Sequence, residues 1–228
     1  MQSKLSAEEL AYIIQWDIKN WKRALSFWDK HFEIKAGMRV LALGEREGGL
    51  SYYFAQKGCE VVCSDYNEFP DSTKKMHAEK GVSDQISYKQ IDMRNIDFED
   101  GSFDVVVFKS VIGALGNKED QDEAIKEINR VLKKGGAFLF AENALGSRFH
   151  RYLRKKFVGW GERWRYITRQ DLQDWQSNFS SAKTEAFGFS ALFGRSEKQR
   201  SFLGGVDKAF NPLTPKGWRY IYFGVMVK

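Results

Sequence analysis

The chain has 228 residues, 43% hydrophobic and 29% charged, which suits one soluble globular core and excludes fibrous, low-complexity and disordered classes. No apolar run reaches the ~18–20 residues of a membrane span and no signal-peptide pattern opens the sequence, so the expected location is cytoplasmic. The net charge of +6 is uneven: residues 147–169 carry eight Lys/Arg against the one acid Glu162, which implies an anionic partner more than it implies a fold.

Residues 7–32 read as one helix, with Leu10, Ile14, Ile18, Trp21, Leu25, Trp28 and Phe32 on one apolar stripe. "RVLAL" (39–43) is a strand, followed by a glycine turn and a helix starting near Gly49. "EVVCSD" (60–65) is the second strand. Cys59 precedes it and Cys63 lies within it, about 13 Å apart and too far for a disulfide, and two cysteines alone make no metal site. "FPDS" punctuates before a helix that runs to about Glu79 and closes at Gly81. "ISYKQID" and "FDVVVFK" are the third and fourth strands. A helix over 119–133 is expected to end on "KKGG", with lysines facing the helix dipole and glycine in the left-handed cap. "AFLFAE" (137–142) is the fifth strand.

After Asn143 a basic aromatic segment comes first. "TRQDLQDWQSNF" then reads as a helix, "KTEAFGFSAL" as a strand, a stretch with "GG" and two prolines as a loop, and 218–227 as a long final strand. Apolar strands alternating with helices predict an α/β fold: a Rossmann-like, mostly parallel sheet of seven strands with helices on both faces.

In such sheets ligands bind beyond the carboxyl ends of the strands. Those ends hold Gly44–Gly49, Asp65–Asn67, Asp92 and Met93, Lys109–Val111, and Glu142 and Asn143. Asp65 lies about twenty residues past the glycine turn, the usual offset for an acid that receives ribose hydroxyls. Asp92 suits an exocyclic adenine amine, because a carboxylate can only accept; a turn role explains either acid as well. The turn itself does not choose a cofactor: glycines at 44, 46 and 49 would mark a dinucleotide site, those at 44, 46 and 48 a methyltransferase loop, and two of three are present in each case.

The later strand ends and the closing helix-and-hairpin plan break the tie. "VLALGEREGG", "VVCSDYN", "QIDMRNIDF", "FDVVVFKSVIGAL" and "EINRVLKKGGAFLFAEN" together resemble the motifs of class I S-adenosylmethionine-dependent methyltransferases over residues 38–143. The resemblance implies S-adenosylmethionine as cofactor and a last strand that runs antiparallel. It puts Gly44 and Gly48 against the methionine portion, Asp65 on the ribose, Tyr66 beside the adenine, and Asp92 with the Met93 backbone on its amine. No repeat, low-complexity tract or linker divides the chain, so a single domain over 1–228 is expected: a helical lid (1–36), a cofactor-binding core (37–143), a basic aromatic cap (144–170), and a C-terminal helix and strands (171–228). Two positions depart from the pattern. Ala42 stands where a strand acid is common, and Arg46 where the middle glycine is usual. Glu45 or Glu47 could replace the acid, and Arg46 could reach the methionine carboxylate or block the pocket. Phrases such as "NWKRALSFW" and "RKKFVGWG" also resemble methyltransferase-like proteins of bacterial surface-polysaccharide synthesis.

Transfer to a hydroxyl needs a base near the reacting atoms. The candidates are His150, then Glu142 with Lys109 as an orienting group; an acceptor that is already ionised needs none. His31 and His77 read as surface residues. The segment 147–166 suits a packed cap, a clamp for an anionic small-molecule or glycan-type acceptor, or a surface for membrane or nucleic acid. Nucleic acid is disfavoured, since no Asn/Asp-Pro-Pro-aromatic or Pro-Cys motif is present. Rival readings are a nicotinamide-dependent oxidoreductase and an inactive methyltransferase-fold binder.

Overall fold

The computed structural model describes residues 5–157 and 163–228; Trp160 and Glu162 lie outside them, as does the side chain of Phe157. In chain order the elements are α1 (Ala7–Ile14), α2 (Ile18–Trp21), α3 (Arg23–His31), β1 (Arg39–Leu43), α4 (Gly49–Ala55), β2 (Glu60–Asp65), α5 (Asp71–Glu79), β3 (Ile86–Gln90), β4 (Phe103–Lys109), α6 (Lys118–Val131), β5 (Leu132–Asn143), α7 (Arg148–Phe157), α8 (Arg169–Gln176), β6 (Ser181–Phe187), α9 (Glu197–Phe210) and β7 (Ile221–Val227). The sheet order is β3-β2-β1-β4-β5-β7-β6. The first five strands pair in parallel and β7 runs antiparallel between β5 and β6.

Alternation along the strands sends side chains to two cores. Val40, Ala42, Val105, Val107 and Leu139 face the N-terminal helices and α4, packing with Trp21, Trp28 and Phe54. Leu41, Leu43, Val106, Phe108 and Phe138 face α6 and α8, packing with Ile125, Ile128 and Trp175. Because both faces are covered, every strand position wants an apolar residue, and periodicity alone could not tell the faces apart.

Three sequence expectations need correction. The helix expected over 7–32 is three helices, with Gln15 (φ 69°) and Asp17 (φ 46°) in left-handed backbone at the break. A remote carboxylate stabilises it: Glu197 at the start of α9 accepts from the Asp17 and Ile18 amides, both at 2.8 Å. The apolar stripe survives, since Ile14, Trp21, Leu25 and Trp28 are all buried. The helix expected to reach residue 133 ends at Val131, and Leu132 is already extended. Lys133 reaches Asp104 at 2.8 Å instead of serving the helix dipole, and "KKGG" lies in β5. Finally, the stretch containing Gly204 and Gly205 is helix α9, not loop. A Cβ on Gly204 would stand 2.9 Å from Asn20 Oδ1, so the glycine marks the close crossing with α2 rather than a break.

Candidate cofactor and active site

The tips of β1 to β4 and the loops after them surround a cavity of about 440 Å3. Gly44, Asp65, Tyr66, Asp92 and Met93 line one side, with Val111, Leu115 and Trp164 opposite. The turn after β1 begins at Gly44 (φ 67°), over which Val111 packs so closely that any side chain there would collide with it. Asp65 Oδ1 accepts from the Asn67 amide at 2.9 Å, which fixes the carboxylate at the cavity edge. Its other oxygen accepts from no donor among the described residues. Tyr66 is 64% exposed at the cavity mouth, its carbonyl held by Gln90 Nε2 at 2.8 Å.

Asp92 is gripped by Arg94, with the Nη2–Oδ2 contact at 2.6 Å, and the same guanidinium reaches Asp120 at 2.9 Å. Hydrogen bonds from Arg94 hold the Asp92 carboxyl below its usual range, so it is an acceptor-only group at neutral pH. Sequence reading missed Arg94, although it stands only two residues past Asp92. Trp164 it placed in the cap without assigning it to this wall. The opposite wall also owes its shape to Ser110, a non-glycine residue at φ 57°. Asn143 Nδ2 donates to Ser110 Oγ at 2.6 Å and the Ser110 amide to Ala141 O at 2.8 Å, which offset the strain of that backbone.

Other predicted site residues lie below or beside the cavity. Glu45 is buried, and its Oε2 accepts from the Leu50 and Ser51 amides at 2.8 and 3.0 Å, so it serves the first turn of α4. Arg46 is exposed and its guanidinium does not fill the cavity; its carbonyl accepts from Thr73 Oγ1 at 2.7 Å. Gly48 (φ 72°) lies against His77, where a Cβ would stand 2.5 Å from Cε1, and does not line the cavity. His77 is fully buried, contrary to the surface role expected from sequence. Its Nε2 donates to Gly48 O at 2.9 Å and its Nδ1 accepts from Tyr88 Oη at 2.7 Å, while burial lowers its pKa. A neutral imidazole therefore holds the glycine loop down.

The two candidate bases are also engaged. Glu142 is fully buried: Oε2 accepts from the Val111 and Ile112 amides at 2.7 and 3.0 Å, Oε1 from the Asn143 amide at 2.7 Å and its Nδ2 at 3.3 Å. Burial pushes its carboxyl up to about 7 against those four donors. Its role is to fix the loop after β4. Lys109 stands in the field of Glu45 and Glu142, with Nζ 5.7 Å from the Trp21 ring centroid; burial pulls its pKa down and the two acids push it back up. His150 is buried behind the end of β5. Its Nδ1 accepts from the Ser147 amide at 3.1 Å, its Nε2 donates to Phe189 O at 2.8 Å, and burial lowers its pKa. Neither ring nitrogen is available as a base.

Two acceptor-only carboxylates at neighbouring strand tips, with Ile91, Met93 and Leu115 between them, suit a nucleoside: hydroxyls on Asp65, an exocyclic amine on Asp92 and a ring face on the apolar side chains. Fold and cavity thus define a Rossmann-like adenosine-binding enzyme core. Residues 41–140 match the family described as "Methyltransferase domain". The ubiquinone/menaquinone biosynthesis C-methyltransferase of a Shewanella species (strain W3-18-1) is 35% identical over 128 residues, 51% of this chain and 48% of its own length. That of Shewanella frigidimarina is 32% identical over 143 residues, 58% and 53% of the two chains. The chain thus spans about half the length of the curated relatives it matches. Among solved structures, phosphoethanolamine N-methyltransferase 2 of Haemonchus contortus in complex with S-adenosyl-L-methionine superposes with a TM-score of 0.64 at 19% identity, over 91% of this chain and 52% of that one. The YcgJ protein of Bacillus subtilis gives 0.61 at 18%, over 90% and 99%. These two likenesses concern the fold alone. Over residues 41–140 the chain carries a methyltransferase domain, and these likenesses support the class I S-adenosylmethionine-dependent family.

Proposed function

We propose that this protein transfers the methyl group of S-adenosylmethionine to a carbon of a small acceptor that reacts in ionised form, such as the phenolate of an electron-rich ring. When bound, the cofactor supplies a methyl group on a sulfonium sulfur. The chain's own contribution is placement: Asp65 and Asp92 orient the adenosine, the apolar wall excludes water, and the loop fixed by Glu142 sets the far side of the site. In the balanced step a carbon–carbon bond forms, the carbon–sulfur bond breaks with its electron pair left on sulfur, and the ring proton leaves to solvent.

The observation that carries this reading is the saturation of both candidate bases. A sugar hydroxyl must lose a proton to react, and His150 and Glu142 have no free acceptor position for it. A phenolic hydroxyl is far more acidic than a sugar hydroxyl and ionises with less help, and the partial relatives named as C-methyltransferases support a carbon acceptor. An oxygen acceptor on an anionic glycan, suggested by sequence alone, therefore becomes the contrast. Isotope-labelled S-adenosylmethionine offered with a hydroquinone bearing an open ring carbon, and separately with a uronic sugar, decides between them. Label on a ring carbon, stable to alkali, is expected. Label on sugar oxygen, or no cofactor binding at all, would overturn the proposal.

A further inference from the structure

Helix α7 is amphipathic the wrong way round for a protein that ends at its own surface. Among its described residues the two buried positions are polar: His150 is fully buried, and Arg154 is 4% exposed with Nη1 donating to Ala144 O and Leu145 O at 2.7 and 3.1 Å. Its outer positions hold Phe149 and Tyr152, 55% and 59% exposed, among the exposed bases Arg148, Arg151, Lys155 and Lys156. A helix covering a core turns its apolar stripe inward, so outward aromatics that stay more than half exposed call for a further explanation.

The outer surface continues beyond the helix. Phe149 meets Phe193 with ring centroids 5.3 Å apart, Phe193 meets Phe189 at 5.9 Å, and Phe189 stacks on Trp218 at 6.0 Å. Trp218 is itself 51% exposed, beside the exposed Lys216. Residues 144–157 contain no acid, and the two acids of 186–228 are both engaged elsewhere. Glu197 caps the Asp17 and Ile18 amides, and Asp207 is buried on Asn20, Ser190 and Ala191.

We infer that this aromatic row with its basic border is a docking surface for an anionic phospholipid bilayer. Aromatic rings that stand proud of the surface suit the headgroup level, and the border matches the negative potential of anionic lipid. Phe149, Tyr152 and Trp218 are each more than half exposed, so their rings can enter the headgroup layer. The surface adjoins the sheet edge that holds the cavity, since α7 follows directly from the end of β5.

Flotation of the purified full chain with vesicles tests this. Vesicles of phosphatidylcholine with roughly a third phosphatidylglycerol should carry the protein up, pure phosphatidylcholine should not, and added salt should release it. Arg148→Glu with Arg151→Glu should weaken the partition coefficient about tenfold or more, and Phe149→Ala with Tyr152→Ala should weaken it as well. Lys74→Glu with Lys75→Glu on α5 makes the same charge change elsewhere and should leave binding intact. S-adenosylhomocysteine should raise the melting temperature of every variant equally, which shows that each is folded. Equal binding to neutral vesicles, no binding, or equal loss in the α5 control would overturn the inference. So would a dimer that the α7 variants dissolve in the absence of vesicle binding, or displacement from vesicles by single-stranded oligonucleotide.

Discussion

Four acids stand at the same edge of the sheet, and they divide into two pairs. Asp65 and Asp92 border an open cavity, and Asp65 keeps one oxygen clear of any donor among the described residues. Glu45 and Glu142 lie a layer deeper, with carboxylates taken up by backbone amides of α4 and of the loop after β4. The residue chemistry is alike; burial, and donors from the main chain, separate the deeper pair from the pair at the cavity. A buried carboxylate is expensive unless it is hydrogen-bonded, and the main-chain amides on Glu45 and Glu142 meet that need.

The sharpest way to break this division is Glu142→Ala. It strands three buried amides at once and should cost about 3–5 kcal/mol, read as a lower denaturation midpoint. A variant of unchanged stability that had lost only methyl transfer would return Glu142 to the chemistry. Asp65→Ala should do the reverse: S-adenosylhomocysteine affinity falls roughly 10–100-fold by calorimetry while the melting temperature barely moves. A large loss of stability there would place Asp65 with the scaffold pair.

The pH dependence of folding sharpens the buried side. Burial pushes Asp17 up to about 7, and Glu142 likewise, so the folded state holds protons that the unfolded chain releases near 4. Stability contributed by those protonated carboxyls is therefore complete at low pH and declines as pH rises from about 4 to about 7. Asp17→Asn should flatten that decline, leaving the variant more stable than the parent by about 1–3 kcal/mol at pH 8 in chemical denaturation. An unchanged slope would show that Asp17 does not hold its proton. The smallest effect expected is that of Arg46→Ala, which should change S-adenosylhomocysteine affinity less than about threefold, as its side chain is exposed and outside the cavity. A tenfold loss would mean that Arg46 folds inward onto the cofactor's carboxylate.

How far the site could be read in advance follows the same line. The open half is built from residues at strand ends, and strand ends show in sequence because apolar runs stop there; Asp65, Tyr66, Asp92 and Met93, expected at those ends, line one cavity. The closed half depends on partners far along the chain, as when His77 packs on Gly48 or Trp164 forms a wall. His150 followed the fifth strand closely enough to suggest catalysis, yet the carbonyl of Phe189, 39 residues on, occupies it.

The sequence by itself determined the parallel, doubly covered sheet and the acids at its edge, because alternation of apolar runs and breakers is local and repeats every few residues; the antiparallel last strand was implied by the family resemblance. Tertiary structure alone decided where the first helix breaks, that Gly204 belongs inside a helix, and which polar groups remain free to bind. Those outcomes depend on contacts such as Glu197 with Asp17, nearly the whole chain apart, and on burial, which no local pattern encodes.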